Sequence, residues 1–155
     1  MSFEISDDNP WPWLDAFTEA AASFFNGPGE DVAALRRCLQ AATVTVLFGK
    51  SGLGKTSLLS AGLFPHLREE RLLPVHARLY AASDVPPMVY LLRRLEEERT
   101  RYGLSWHSGA EPPAGDAEEA LWLRLHAAPV GLLDERGRAW QPVLVLDQFE
   151  EICLS

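Results

Sequence analysis

The chain has 155 residues, 47% hydrophobic and 23% charged, with a formal net charge of -8 and a pI of about 4.9. That length and balance suit one soluble domain with an ordinary core. The acidic charge disfavours broad binding to nucleic acid or to an anionic membrane, which needs a basic face, and no apolar run reaches the roughly 18 residues of a membrane span.

Met1-Ser2-Phe3-Glu4 lacks the basic and apolar regions of a secretory leader, and Cys38 and Cys153 follow no metal-ligand spacing. Both features predict a reduced, cytoplasmic protein. Residues 1–13 turn from polar to rich in Pro and Trp, which predicts an extended arm. Leu14, Phe17, Ala21, Phe24 and Phe25 recur at helical spacing, and Asn26-Gly27-Pro28-Gly29 breaks that helix. A second amphipathic helix is predicted over 30–41, with Val32, Leu35 and Leu39 on one face. Residues 43–48 are β-branched and apolar and predict a buried strand. After a glycine-rich loop, Leu58, Leu59, Gly62 and Leu63 mark a short helix that stops near Pro65.

Residues 72–80 predict a second strand. Ser83 or Asp84 with Pro86-Pro87 opens a helix whose apolar stripe is Met88, Leu91, Leu92 and Leu95 and whose end is Gly103. The run Glu96-Glu97-Glu98-Arg99 reads as its solvated face. Residues 103–115 read as a loop. Asp116 with Glu119 resembles a capping box for a helix to about residue 127. Residues 134–137 read as a turn or hairpin tip, with Arg136 and Arg138 as solubilising charges. Val143-Leu144-Val145-Leu146 predicts another buried strand, ending on Asp147. This order of elements is that of an α/β layered domain with parallel strands. Its core is expected over 43–155, preceded by the arm and helices of 1–42. His66, His76, His107 and His126 are scattered without metal spacing, and the tryptophans read as packing residues.

The glycine-rich loop carries the chemistry. Gly49-Lys50-Ser51-Gly52-Leu53-Gly54-Lys55-Thr56 fits G-x-x-x-x-G-K-[ST]. Glycines at 49, 52 and 54 permit backbone conformations that a β-carbon disfavours, so the N–H groups can turn inward around phosphate oxygens. Lys55 is placed to reach the β- and γ-phosphates, the Thr56 hydroxyl to ligate Mg²⁺, and Ser57 to contact the α-phosphate. The chain holds twelve arginines but only two lysines, and both lysines, Lys50 and Lys55, sit in this loop. A compact ammonium suits phosphate oxygens there.

Asp147, at the end of an apolar strand, supplies the carboxylate that Mg²⁺ needs beside a phosphate site, since parallel α/β sheets bind ligands at the carboxyl ends of their strands. Hydrolysis also needs a group that orients or activates water. Gln148 follows Asp147 directly and can orient water without being a base. Glu150 and Glu151 are the other candidates, or else surface carboxylates.

The segments FGKSGLGKTSLLSAGLFPHL (48–67) and PVLVLDQFEEI (142–152), with NPWPWLDAFTEAAASFF (9–25), resemble the novel STAND NTPases, P-loop ATPases of a signal-transducing class. The resemblance implies a three-layer α/β/α P-loop fold, triphosphate binding by 49–56, magnesium at Asp147, ATP as the nucleotide, and protein partners or self-association through further modules. It also implies an arginine in a Gly-Arg-Glu segment near the adenine, where this chain has Asn26-Gly27-Pro28-Gly29-Glu30. The implied sheet order is 5-1-4-3-2, with a later strand between the strand before the loop and the strand ending at Asp147. No segment here is a candidate for that strand, which predicts a chain truncated after Asp147 that is poorly stable or aggregates.

Three functions follow. The first is an ATP-dependent switch that hydrolyses slowly. The second is a small-molecule kinase, which should carry an Arg-rich lid that this sequence lacks. The third is a remnant that binds nucleotide without turnover or is inert.

Overall fold

A computed structural model describes residues 16–25, 27, 29–50, 52–79, 84–107 and 131–149. The chain divides after Glu69 into two compact units. The arm at 1–13, the helix at 116–127, Leu14, Ser51, Glu150 and Glu151 lie outside the described residues.

In the first unit, the apolar stripe from Phe17 to Phe25 forms a 3₁₀ helix, Glu19–Phe24, in place of the longer α-helix that its spacing predicts. The Phe17 and Phe25 rings meet edge to face, 5.7 Å between centroids, and Arg68 donates to the Glu19 carboxylate. Helix α1 (Gly29–Ala41) follows, with Val32 buried. Beyond the loop, α2 (Lys55–Ser57), a π-helical segment (Leu58–Leu63) and α3 (Phe64–Glu69) run on without a break, since Leu58 and Phe64 keep right-handed helical angles.

The helix therefore does not stop at Pro65. The Phe64 N–H bonds to Leu59 O, five residues back. Pro65 enters where this wider pattern gives way to α3, in a first turn that tolerates its missing N–H. A β-carbon on Gly62 would lie 2.9 Å from Val32 Cγ2 and 3.1 Å from Phe25 Cε1. Glycine thus lets the π segment approach both elements, closing a small core of Ala21, Val32, Ala61, Leu63, Phe64 and Leu67.

The segment 43–48 differs from its reading as a buried strand. It forms no strand, and Val44, Val46 and Phe48 are 77%, 77% and 88% exposed. β-branched residues favour a sheet only when a neighbouring strand supplies the ladder, and none among the described residues pairs here.

Among the described residues, the second unit is a sheet with one helix packed on it. Strand β1 (Leu72–Arg78) leads to α4 (Pro87–Arg101), then β2 (Ser105–Trp106), β3 (Leu132–Leu133) and β4 (Ala139–Asp147). The order is β1-β4-β3-β2. β1 pairs with β4 in parallel, from Leu72 opposite Gln141 to Arg78 opposite Asp147. β3 pairs antiparallel with both β4 and β2, so the sheet is mixed where all-parallel strands were expected. The cause is the short turn between β3 and β4, which can join only antiparallel neighbours.

Leu73, Val75, Ala77 and Leu79 meet Leu91 and Leu95 of α4, with Leu104 and Leu132, in the main core. Pro87 opens α4 in the first turn, where it costs no hydrogen bond. Gly103, at φ 61°, closes it: its N–H bonds to Thr100 O and the N–H of buried Leu104 to Arg99 O, a Schellman motif. The acidic run on α4 is not simply solvated. Glu98 is 8% exposed, with Arg94 at 3.4 Å and Arg101 at 3.8 Å, and Glu96 accepts from Arg99 Nε and Trp106 Nε1. Val143, Leu144 and Val145 are half-buried and Leu146 is exposed, rather than fully buried. On the side of β4 away from β1, β3 covers only Ala139 and Trp140 among the described residues. No helix of the described residues is long and apolar enough to cross a membrane.

The β3–β4 turn is built on Asp134. Its carboxylate accepts the backbone N–H groups of Arg136 and Arg138 and the Arg138 Nε, so Arg138 does more than solubilise. The Arg138 backbone N–H foremost, against the opposing effect of desolvation, holds the Asp134 carboxyl down from 3.8 to about 2, with help from the Arg138 guanidinium, the Arg136 N–H and the Trp140 indole. A carboxyl whose folded value is depressed stabilises above its unfolded value and loses that contribution as pH falls through the folded one. Wild type and Asp134→Ala should therefore differ in melting temperature at neutral pH. The difference should shrink as pH falls from about 3.8 towards about 2. A gap that stays constant across that range would rule out the carboxylate as its source.

Candidate functional site

The glycine-rich loop lies in the first unit. Gly52 and Gly54 adopt φ values of 81° and 75°, which side-chain-bearing residues rarely reach, and nothing lies within 4 Å of where a β-carbon on either would be. Gly54 caps α2, and the Leu58 N–H bonds to its carbonyl at 2.8 Å. The loop thus opens directly into a helix, and Gly49, Lys50, Leu53 and Gly54 are exposed. Lys55 folds back over it, Nζ donating to Gly49 O at 2.8 Å and Lys50 O at 3.1 Å. Carbonyl oxygens are stand-ins for the anionic oxygens an ammonium would prefer. Thr56 is half-buried at the second helical position. Ser57 is buried, and its Oγ accepts the Phe17 N–H at 3.1 Å. That bond ties the 3₁₀ helix to the loop's helix, while the hydroxyl retains a hydrogen to donate.

Asp147 lies in the second unit, at the carboxyl end of β4 and opposite Arg78. Its side chain is 19% exposed, and Oδ2 lies 3.4 Å from Nε2 of His76 on β1. Sequence reasoning treated His76 as one of four scattered packing residues. Its closeness to Asp147 follows from the parallel β1–β4 register, which spacing along the chain does not reveal.

Gln148 follows at φ 57°, a left-handed conformation in a residue that is not glycine. Such a backbone costs on the order of 1–3 kcal/mol and persists where surrounding structure enforces it. Its Oε1 is shielded from solvent and accepts no hydrogen bond among the described residues.

The donor chemistry fits magnesium and phosphate. Hydroxyl and carboxylate oxygens, at Thr56 and Asp147, are hard donors of the kind Mg²⁺ takes. Among the described residues no group of three or more His, Cys, Asp and Glu side chains gathers around a potential ion. Glycines in left-handed conformations beside an ammonium suit the phosphates themselves.

The sequence profile of the family described as Novel STAND NTPase 1 matches residues 10–154. No curated protein and no solved structure matches the chain.

Proposed function

The chain belongs to the Novel STAND NTPase 1 family, and on that footing we propose that it binds Mg-ATP through residues 49–56 and hydrolyses it slowly, as the nucleotide module of a signalling switch. The observation that carries this reading is the loop itself. Gly52 and Gly54 turn left-handed into the start of a helix, and Lys55 arches over its exposed backbone.

In this reading Lys55 exchanges its two carbonyl partners for β- and γ-phosphate oxygens. The N–H groups of the loop surround the β-phosphate, and Ser57 supplies a contact near the α-phosphate. Thr56 and Asp147 are the residues that would ligate Mg²⁺, and the ion would supply neutralisation of charge developing on the transferred phosphoryl oxygens. Gln148, held in a strained conformation next to Asp147, orients the attacking water, with Glu150 and Glu151 as the alternatives carried by the sequence. Catalysis is then mainly positioning and electrostatics. ATP is taken as the nucleotide because the chain resembles the novel STAND NTPases, which are P-loop ATPases.

The parallel pairing of β1 with β4 supports a P-loop sheet over 43–155, led by the arm and helices of 1–42. The γ-phosphate acts as the ordering contact of the switch in the cytoplasm, with output passed to protein partners. A binding-only module is the second reading. Gln148, a neutral group where many ATPases place a Glu, and the unpaired run at 43–48 favour it.

Calorimetry with Mg-ATP on this chain, paired with an assay of phosphate release, tests both. Micromolar binding with slow release is the expected result. Binding without release selects the second reading, and no binding by a folded chain sinks both.

A further inference from the structure

His76 and Asp147 stand on adjacent strands, with Nε2 3.4 Å from Oδ2. Nε2 is shielded from solvent, and the two side chains are 27% and 19% exposed. The ring is carried by a rigid part of the fold. It lies in the middle of β1, between buried Val75 and Ala77, opposite Val145 in the register. The backbone carbonyl of His76 accepts Arg94 Nε from α4 at 3.1 Å. Strand and helix thus hold the backbone that carries the imidazole.

A carboxylate at a strand end has a free χ2, and each of its two oxygens can face either way. An imidazole nitrogen 3.4 Å from one oxygen restricts that freedom. We propose that His76 is a positioning residue for Asp147: it occupies Oδ2 and thereby presents Oδ1 to the divalent cation of a bound nucleotide. The inference rests on the reading of Asp147 as the magnesium carboxylate. It gives that carboxylate the kind of outer partner that holds a metal ligand in one orientation, and loss of such a partner weakens metal affinity by roughly ten- to a hundredfold.

The test uses the whole chain and a fluorescent ATP analogue, with binding followed over a series of Mg²⁺ concentrations. His76→Ala should raise the half-saturating Mg²⁺ concentration about tenfold or more, while nucleotide binding in EDTA, which depends on Lys55, stays unchanged. His76→Gln, which keeps an N–H donor, should recover most of the loss. A half-saturation in His76→Ala equal to that of wild type, with Lys55→Ala still weakening binding about ten- to a hundredfold, overturns the role of His76 and leaves the phosphate-loop reading standing. A folded wild-type chain that binds no nucleotide overturns both. Should His76→Ala fail to fold, the ¹⁵N resonance of His76 Nε2 in the wild-type chain decides. It should move on Asp147→Asn and on adding Mg²⁺ with nucleotide, and a resonance indifferent to both refutes the proposal.

Discussion

Lys55→Ala should weaken Mg-ATP binding about ten- to a hundredfold, and it should do so without unfolding the chain. The ammonium makes two hydrogen bonds, to Gly49 O and Lys50 O, both at an exposed surface. Bonds of that kind contribute little to folding, and surface substitutions usually change stability by no more than about 0.5 kcal/mol. Against triphosphate oxygens the same ammonium makes charge-assisted bonds, whose net value of about 1.5–3 kcal/mol corresponds to that loss of affinity. Lys55→Arg should not rescue it, because a planar guanidinium cannot replace a compact ammonium close to the loop backbone. Calorimetry and thermal melts on the three proteins check the pattern. Equal Kd values for wild type and Lys55→Ala would remove the loop from the binding site.

The second large effect is structural. Leu95 is fully buried on α4 and packs in the core with Leu73, Val75, Ala77 and Leu91. Leu95→Ala deletes buried methyl groups and leaves a cavity that strand and helix can only partly close, at a cost of about 2–5 kcal/mol. Leu92, its half-buried neighbour at the edge of the cluster, should cost clearly less when cut to alanine. Urea unfolding of both variants measures the difference. Equal losses would mean that the cluster is not the stabilising core of its unit.

Much of this architecture was legible before any coordinates, and the reason differs by element. Helix α4 could be read because its signals are local: prolines at the start, Gly103 at the end, and leucines at helical spacing between. Strands β1 and β4 announced themselves as short, largely apolar runs, and the Asp134 turn as a polar break. The loop at 49–56 was legible because Gly49, Gly54, Lys55 and Thr56 match the four fixed positions of G-x-x-x-x-G-K-[ST].

What escaped depends on partners distant in the chain. Strands β2 and β3 are each two residues long, too short for any periodicity, so the mixed character of the sheet could not be foreseen. Glu98 looked like a solvated charge because an acidic run hides which member points inwards. The meeting of His76 with Asp147 depends on which strands pair and in what register. Residues 43–48 carry a true strand preference, but preference alone does not supply the neighbour that would satisfy it.

That bare run has a thermodynamic consequence for the loop it leads into. With no ladder among the described residues holding Val44, Val46 and Phe48, the anchoring of the loop and the proposed capture of triphosphate would be linked equilibria. The apparent affinity is then the intrinsic one scaled by the fraction of molecules in which the anchor is held. A strand that paired with 43–48 would act as a positive effector without touching the ligand. By reciprocity, bound triphosphate would tighten that pairing by the same factor. Each tenfold change in nucleotide affinity would report about 1.4 kcal/mol of this coupling, so the Kd of the loop doubles as a gauge of how completely its sheet has closed.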